Sequence, residues 1–249
     1  MAFNLVAARS LCVAMVVMMC TAGLGSPVDD AIMILEDVAR TPKERADAAG
    51  RIVRGLESSG GPIKVETKDH DAIARASLRL LDDKDADLRE KGVELLWCIP
   101  PSSVDEAALQ KITAGALNKS FAVRLIRSKG MKSSPAVQVL KDCIKARTDF
   151  ISFGLAGQVA AARGMLEVKD DLIAAIVDPR FGVRYMAVVA LAGFAKGTVP
   201  RTEALERFLA DTEKDLKRKQ ETEEKGGSPV MPEEKQFVEV LKALLEASK

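Results

Sequence analysis

The chain has 249 residues, 47% hydrophobic and 29% charged but only 4% aromatic. That apolar share excludes a disordered chain, and the formal net charge of +1 argues against a generic nucleic-acid binder, which would carry a basic excess. A single histidine in the whole sequence leaves no histidine cluster for a metal or a catalytic relay.

Residues Met1 to Arg9 carry one positive side chain and no acid. Leu11 to Leu24 is then an uncharged run, followed by Gly25-Ser26-Pro27 and the first acids, Asp29 and Asp30. This layout predicts a secretory signal peptide over residues 1–25, with cleavage among the small residues from Ala22 to Gly25. The run is shorter than the roughly 20 apolar residues of a membrane span. Membrane attachment is expected only if Cys20, preceded by Met18-Met19 rather than a small residue, is lipidated or the signal stays uncleaved. The expected location is the periplasm or cell envelope, with secretion as the alternative. Removal of residues 1–25 leaves 36 basic and 36 acidic residues and two cysteines, Cys98 and Cys143. Both lie in apolar helical contexts and read as buried small hydrophobes, a disulfide between them being the alternative in an exported protein.

Pro27-Val28-Asp29-Asp30 opens a helix with Ile32, Ile34, Leu35 and Val38 on its apolar face. Thr41-Pro42 starts a second helix, a capping residue before a proline at the first helical position, running to about Leu56. Ser58-Ser59-Gly60-Gly61-Pro62 breaks it and leads through a longer connection to about Asp69. Helical pairs then follow: Ile73 to Leu81 with Asp87 to Ile99, Val104 to Leu117 with Phe121 to Met131, Pro135 to Arg147 with Phe150 to Arg163, and Val168 to Val177 with Phe181 to Ala195. Pro100-Pro101, Ser133-Ser134-Pro135 and Gly197-Thr198-Val199-Pro200 separate the pairs. Glu203 to about Lys225 is a helix whose apolar stripe (Leu205, Phe208, Leu209, Leu216) gives out in a charged run, read as a solvated end. Pro232 starts a last amphipathic helix with Phe237, Val240, Leu241, Leu244 and Leu245.

The second helices repeat one phrase: a short polar residue, an arginine six positions on, then small residues. It reads Asp83…Leu88-Arg89 with Gly92, Asn118…Val123-Arg124 with Gly130, and Asp178…Val183-Arg184 with Ala187 and Ala190. Arg89, Arg124, Gly154 and Arg184 stand 35, 30 and 30 residues apart, and Arg45 precedes Arg89 by 44. Phe153-Gly154 is the degenerate copy. A repeat of this period means stacked helical hairpins, because one hairpin cannot bury its own apolar face.

These residues resemble HEAT repeats from about Asp29 to Ala195, clearly at three copies and more weakly at Arg45 and Gly154. The resemblance implies an all-α, right-handed α-solenoid of HEAT-like hairpins over residues 26–198, closed by C-terminal capping helices over 199–249. It also implies an inter-repeat ladder in which an arginine of one second helix bonds the acidic side of a neighbour. Asp83, Arg89, Asn118, Arg124, Asp178 and Arg184 are its members.

No catalytic constellation emerges. His70 lies between Asp69 and Asp71 at a helix start and has no histidine partner; Gly60-Gly61 lacks the lysine of a phosphate loop. Acid clusters such as Asp82-Asp83-Asp85-Asp87 and Asp170-Asp171 sit where aspartates cap helices. Phe121 and Phe181, each three residues before an arginine, are expected to pack between hairpins. One imbalance stands out: Asn118 to Arg147 holds eight basic residues and the single acid Asp142. Arg124, Arg127, Lys129, Lys132, Lys141, Lys145 and Arg147 are therefore candidate contacts for an anionic partner, with ordinary solvation of outer helix faces as the plainer reading.

The sequence thus describes a non-catalytic exported scaffold or protein- or peptide-binding module, with no cofactor, no metal and no nucleic-acid partner expected. A HEAT-like enzyme or enzyme accessory of lyase or glycosylase type, or a binder of an anionic polymer or lipid headgroup, is the alternative. Protein recovered from its native cell envelope is expected to begin close to Ser26. An intact-mass measurement finding a chain that retains Met1 would sink the export reading.

Overall fold

The computed structural model describes residues 26–57, 63–115, 117–226 and 228–248. The expected signal segment, residues 1–25, and residues 58–62 of the Gly-Gly-Pro connection lie outside them. The described residues are all-α, with short 3-10 turns and no strand. They divide between Ala108 and Leu109, inside one helix, into two compact units.

The first unit contains α1 (Pro27–Glu36), α2 (Pro42–Glu57), a 3-10 turn (Thr67–Asp69), α3 (His70–Leu80) and α4 (Ala86–Cys98), and the start of α5 (Asp105–Ala114). Local chemistry sets the boundaries. Ser26 Oγ accepts from Asp29 N–H (3.1 Å) while Asp29 accepts from Ser26 N–H (3.0 Å), a reciprocal cap that starts α1. The helix stops at Glu36, so Val38, expected on its apolar face, lies beyond it and is 85% exposed. Thr41 and Glu44 form the same reciprocal cap at the start of α2, and Asp85 caps α4. α1 packs on α2 and α3 on α4. The first helices also pack on each other, as do the second helices, which is the layered stacking of an α-solenoid. Gly92 makes the α3–α4 contact close, since a Cβ there would meet Ser77 O and Leu80 Cβ at 2.9 Å.

The second unit continues with α6 (Lys119–Lys129), α7 (Ser134–Ala146), α8 (Phe150–Ala162), α9 (Lys169–Ala174), α10 (Phe181–Ala192), α11 (Glu203–Glu224) and α12 (Pro232–Ala247). α9 is shorter than the expected helix over 168–177. It lies between 3-10 turns at Leu166–Val168 and Ala175–Val177, and the chain is tightened out of the α-form before Asp178-Pro179. Four second helices form a row, α6 on α8, α8 on α10 and α10 on α12, while α7 and α9 pack on each other in the opposite layer. α11 packs on α12 and on the 3-10 turn 175–177, so the terminal pair continues the stack of this unit. Leu205, Phe208, Phe237, Leu241 and Leu245 are buried, and Gly197 N–H bonds Ala247 O (2.9 Å). Cys98 and Cys143 are both unbridged; burial pushes the Cys143 thiol up to about 11. Among the described residues no helix is long and apolar enough to cross a membrane, and no group of three or more His, Cys, Asp or Glu could hold a metal ion.

Arg45 joins the two hairpins of the first unit. Its Nη1 lies 2.7 Å from Asp83 Oδ2, its Nε donates to Leu35 O at the end of α1 (2.8 Å), and both side chains are largely buried. Burial opposes the Asp83 charge, but the Asp85 N–H and the Arg45 guanidinium hold its carboxyl below the ordinary value. Removing one partner of a buried pair strands the other, so Arg45→Ala is expected to destabilise this unit by about 3 kcal/mol in urea unfolding. Arg40→Ala, which removes half-exposed pairs with Asp37 and Glu44, is expected to cost less than about 1 kcal/mol. Equal midpoints for the two variants would show that the buried rung does not hold the hairpins in register.

Candidate functional site

The second unit carries a groove of about 810 Å³ along α10, α11 and the start of α12. Its floor is aromatic, and four of the chain's ten aromatic residues meet there. Tyr185 and Phe237 rings are 4.4 Å apart, and Phe181 lies 6.2 Å from Tyr185 and edge-on to Phe237 at 6.3 Å. Phe208 is edge-on to Phe237 at 6.0 Å. Tilted and edge-to-face contacts of this kind suit the ring quadrupoles. Phe208 and Phe237 are buried, whereas Phe181 is 55% exposed and Val177, at the edge of the groove, 69% exposed. The expected packing of Phe181 between hairpins is therefore corrected: as the first residue of α10 it lies where the groove opens, and only part of its ring is covered.

Arg184 runs through this floor. Its Nη1 donates to Asp178 O (2.7 Å) and Pro179 O (3.0 Å), and its guanidinium lies 5.7 Å from the Phe181 ring centre and 5.4 Å from that of Phe208. Those are cation–π distances. α11 supplies the opposite rim through Glu203, Arg207, Asp211, Asp215 and Lys219, all of which line the groove.

The expected ladder residues have several partners. Arg89 bonds carbonyls of its own hairpin turn, Asp83 O (2.8 Å) and Lys84 O (3.0 Å), as Arg184 does in its own. Such bonds satisfy turn carbonyls within one hairpin and do not link two. Bonds between hairpins come from other groups. Besides the Arg45–Asp83 pair, Asn118 Oδ1 accepts from Ser152 Oγ (3.2 Å) and from Ser120 N–H at the start of α6 (2.8 Å). Arg163 Nη2 donates to Ile126 O (3.1 Å). Asp178 takes its own neighbour, Arg180, through Nε (2.9 Å) and Nη2 (3.0 Å).

The basic band divides in the same way. Lys129 is 7% exposed, which corrects its reading as a free surface cation: it lies in the last turn of α6, on the side facing the core. Lys141 is paired with Glu167 at 3.5 Å. Arg147 ends α7 in the left-handed region (φ 50°), the one non-glycine residue with positive φ among those described, and donates to Asp171 O (3.0 Å) and Ala174 O (3.3 Å). Arg124, Arg127, Lys132 and Lys145 are exposed. The groove itself is missing from the sequence reading, although a signal for it existed in an aromatic-poor chain with four aromatics at 181, 185, 208 and 237.

No protein-family model matches the chain, and no curated protein matches it. Among solved structures it is similar to the designed armadillo repeat protein YIII(Dq)4CqI, at 16% identity over 90% of this chain and 100% of that one, with a TM-score of 0.44. It is similar to an engineered protein at the same identity, coverage of this chain and TM-score, there over 98% of that chain.

The hydrogen bonds from the Arg180 side chain hold the Asp178 carboxyl at about 2, below its ordinary 3.8. A carboxylate depressed by folding stabilises the folded state above its unfolded value, and that stabilisation is lost as pH falls through the folded one. The melting temperature is therefore expected to fall more steeply between about pH 4 and pH 2 in the wild type than in Asp178→Asn. Parallel profiles would remove Asp178 from the acid response.

Proposed function

We propose that this chain is a non-catalytic binding module that holds a segment of a partner protein in the groove between α10, α11 and α12. The observation that carries this reading is an aromatic floor left partly uncovered, with Phe181 55% and Val177 69% exposed beside about 810 Å³ of space. Ligand sites typically occupy about 300–1,000 Å³ and combine an apolar lining with a few polar groups. The groove also extends along α11 from Glu203 to Lys219, seventeen residues, or about 24 Å at the rise of an α-helix. That length suits a peptide of several side chains better than one small molecule.

Further support for binding over chemistry comes from where the carboxylates sit. Glu203, Asp211 and Asp215 are exposed at the rim and Glu234 is paired with Lys219, while the less exposed lining is mainly apolar, with Arg184, Thr212 and Tyr185 as its other polar side chains. The HEAT-like phrase at Asp83, Asn118 and Asp178 and the secretory layout of residues 1–25 support a HEAT-type scaffold that works outside the cytoplasm.

A phage-displayed random peptide library panned on the protein tests this. Enriched peptides are expected to carry a large apolar anchor and to bind Val177→Glu and Phe181→Ala at least about tenfold more weakly than wild type. Helix content should be unchanged, since both side chains are already exposed. Enriched peptides that bind all three proteins equally would move the binding site away from this groove.

A further inference from the structure

Along the groove, α11 presents one side chain per turn, at residues 203, 207, 211, 215 and 219. Such i, i+4 positions share a helix face. The two ends of this stripe are neutralised within the protein: Glu203 pairs with Arg207 at 2.5 Å, and Lys219 pairs with Glu234 of α12. The middle is different. The Asp211 side chain makes no hydrogen bond or ion pair among the described residues, and that of Asp215 is paired only with the exposed Arg218 (3.2 Å), which does not line the groove. Two carboxylates one turn apart repel each other, a small cost that a cation placed between them removes. The same groove is lined from α10 by the exposed Phe181 ring and the half-buried Tyr185. Arg184, the cation of that wall, is drawn down to the turn carbonyls and covered by rings, so it is engaged below the rim.

From this arrangement we infer that the groove takes a basic amphipathic segment of a partner protein: an apolar anchor on the aromatic floor, and a lysine or arginine reaching Asp211 and Asp215. The inference rests on the binding reading above and adds the charge of the partner. The chemistry fits the long basic side chains, whose methylene stems cover apolar surface while the charged end stays in water. The stem would lie along Phe181 and Tyr185, and the cation would reach both the ring faces and the carboxylates. An acidic segment in the same position would set like charges against Asp211 and Asp215.

Three synthetic amphipathic peptides of one length and one leucine–phenylalanine pattern test it. Their polar positions are all lysine, all glutamine or all glutamate, and binding to the full chain is measured by isothermal titration calorimetry. The lysine peptide is expected to bind at least about fivefold more tightly than the glutamine peptide and to weaken with added salt, and the glutamate peptide to bind worst. Asp211→Asn with Asp215→Asn should abolish the lysine advantage and leave the glutamine peptide's affinity unchanged. Both residues are exposed, so the fold should survive, and Val177→Glu reports separately on the apolar floor. Equal binding of all three peptides, sensitive to Val177→Glu, would overturn the basic partner and leave the groove reading standing. Binding by none of them would overturn both, and a lysine advantage that persists in the double variant would place the cation elsewhere.

Discussion

Between α8 and α10 a side chain at either of two positions would force a neighbour to move. A Cβ on Gly154 would come within 2.6 Å of the Met186 sulfur, and one on Gly157 within 2.7 Å of Ala190 Cβ. Real Cβ atoms do not approach so closely, so glycine at both sites is what lets the two helices touch along their length. This contact positions α10, and α10 in turn carries the groove. Its N-terminal residue Phe181 and, one turn later, Tyr185 reach the ring of Phe237 on α12, and Arg184 closes over Phe208 of α11. The copy of the repeat that looks most decayed in sequence, Phe153-Gly154, therefore makes the closest contact in this part of the stack. An arginine at 154 would push α10 outward and open the terminal hairpin with it.

Among the described residues arginine does several different jobs, and only surroundings distinguish them. Arg45 is a buried ion pair between hairpins. Arg89 and Arg184 close their own turns by donating to carbonyls five and six residues earlier. Arg147 adopts a strained left-handed backbone and bonds carbonyls of the next hairpin's first helix. Arg40, half exposed, decorates the surface with pairs worth little. The guanidinium fork suits the first three because it offers several donors in one plane, so one side chain can satisfy two carbonyls at once. Counting positive charges along residues 118–147 mixes these jobs together. That is why the band looked continuous in sequence and separates in space into a buried Lys129, a paired Lys141, an engaged Arg147 and a few exposed cations.

The hairpins were legible because their signals are local. Ser26, Thr41, Asp85, Asn118, Ser133 and Asp149 each stand just before an apolar period and each accepts from a backbone N–H of its helix in the structure. The period of the Val-Arg phrase was legible for the same reason, as every copy is read within a dozen residues. Bond partners were not, because a guanidinium reaches several ångströms and finds carbonyls as readily as carboxylates; nothing in the phrase Asp-x5-Arg says which. The groove was harder still. Its walls come from residues 176–185, 203–219 and 234–237, which meet only once α10, α11 and α12 have packed. The charged stripe on α11 carries no signal within its own segment, because the wall that shares the groove with it is some twenty residues earlier.

What the sequence spends at the end of the array gives the groove its meaning. Elsewhere the core is mainly alanine, valine, leucine and isoleucine, with Phe153 and Phe194 as its buried phenylalanines, and four of the chain's ten aromatics are concentrated in one corner of the second unit. Leucines like those of α12 (Leu241, Leu244, Leu245) are enough to bury one hairpin face against the next. Leaving about half of a phenylalanine in water forgoes about 1 kcal/mol of burial, and the exposed Val177 beside it adds to the cost. Packing alone would favour a smaller or polar residue at 181. The proposed partner would account for Phe181: its side chain would complete the ring cluster and recover the burial the isolated chain lacks.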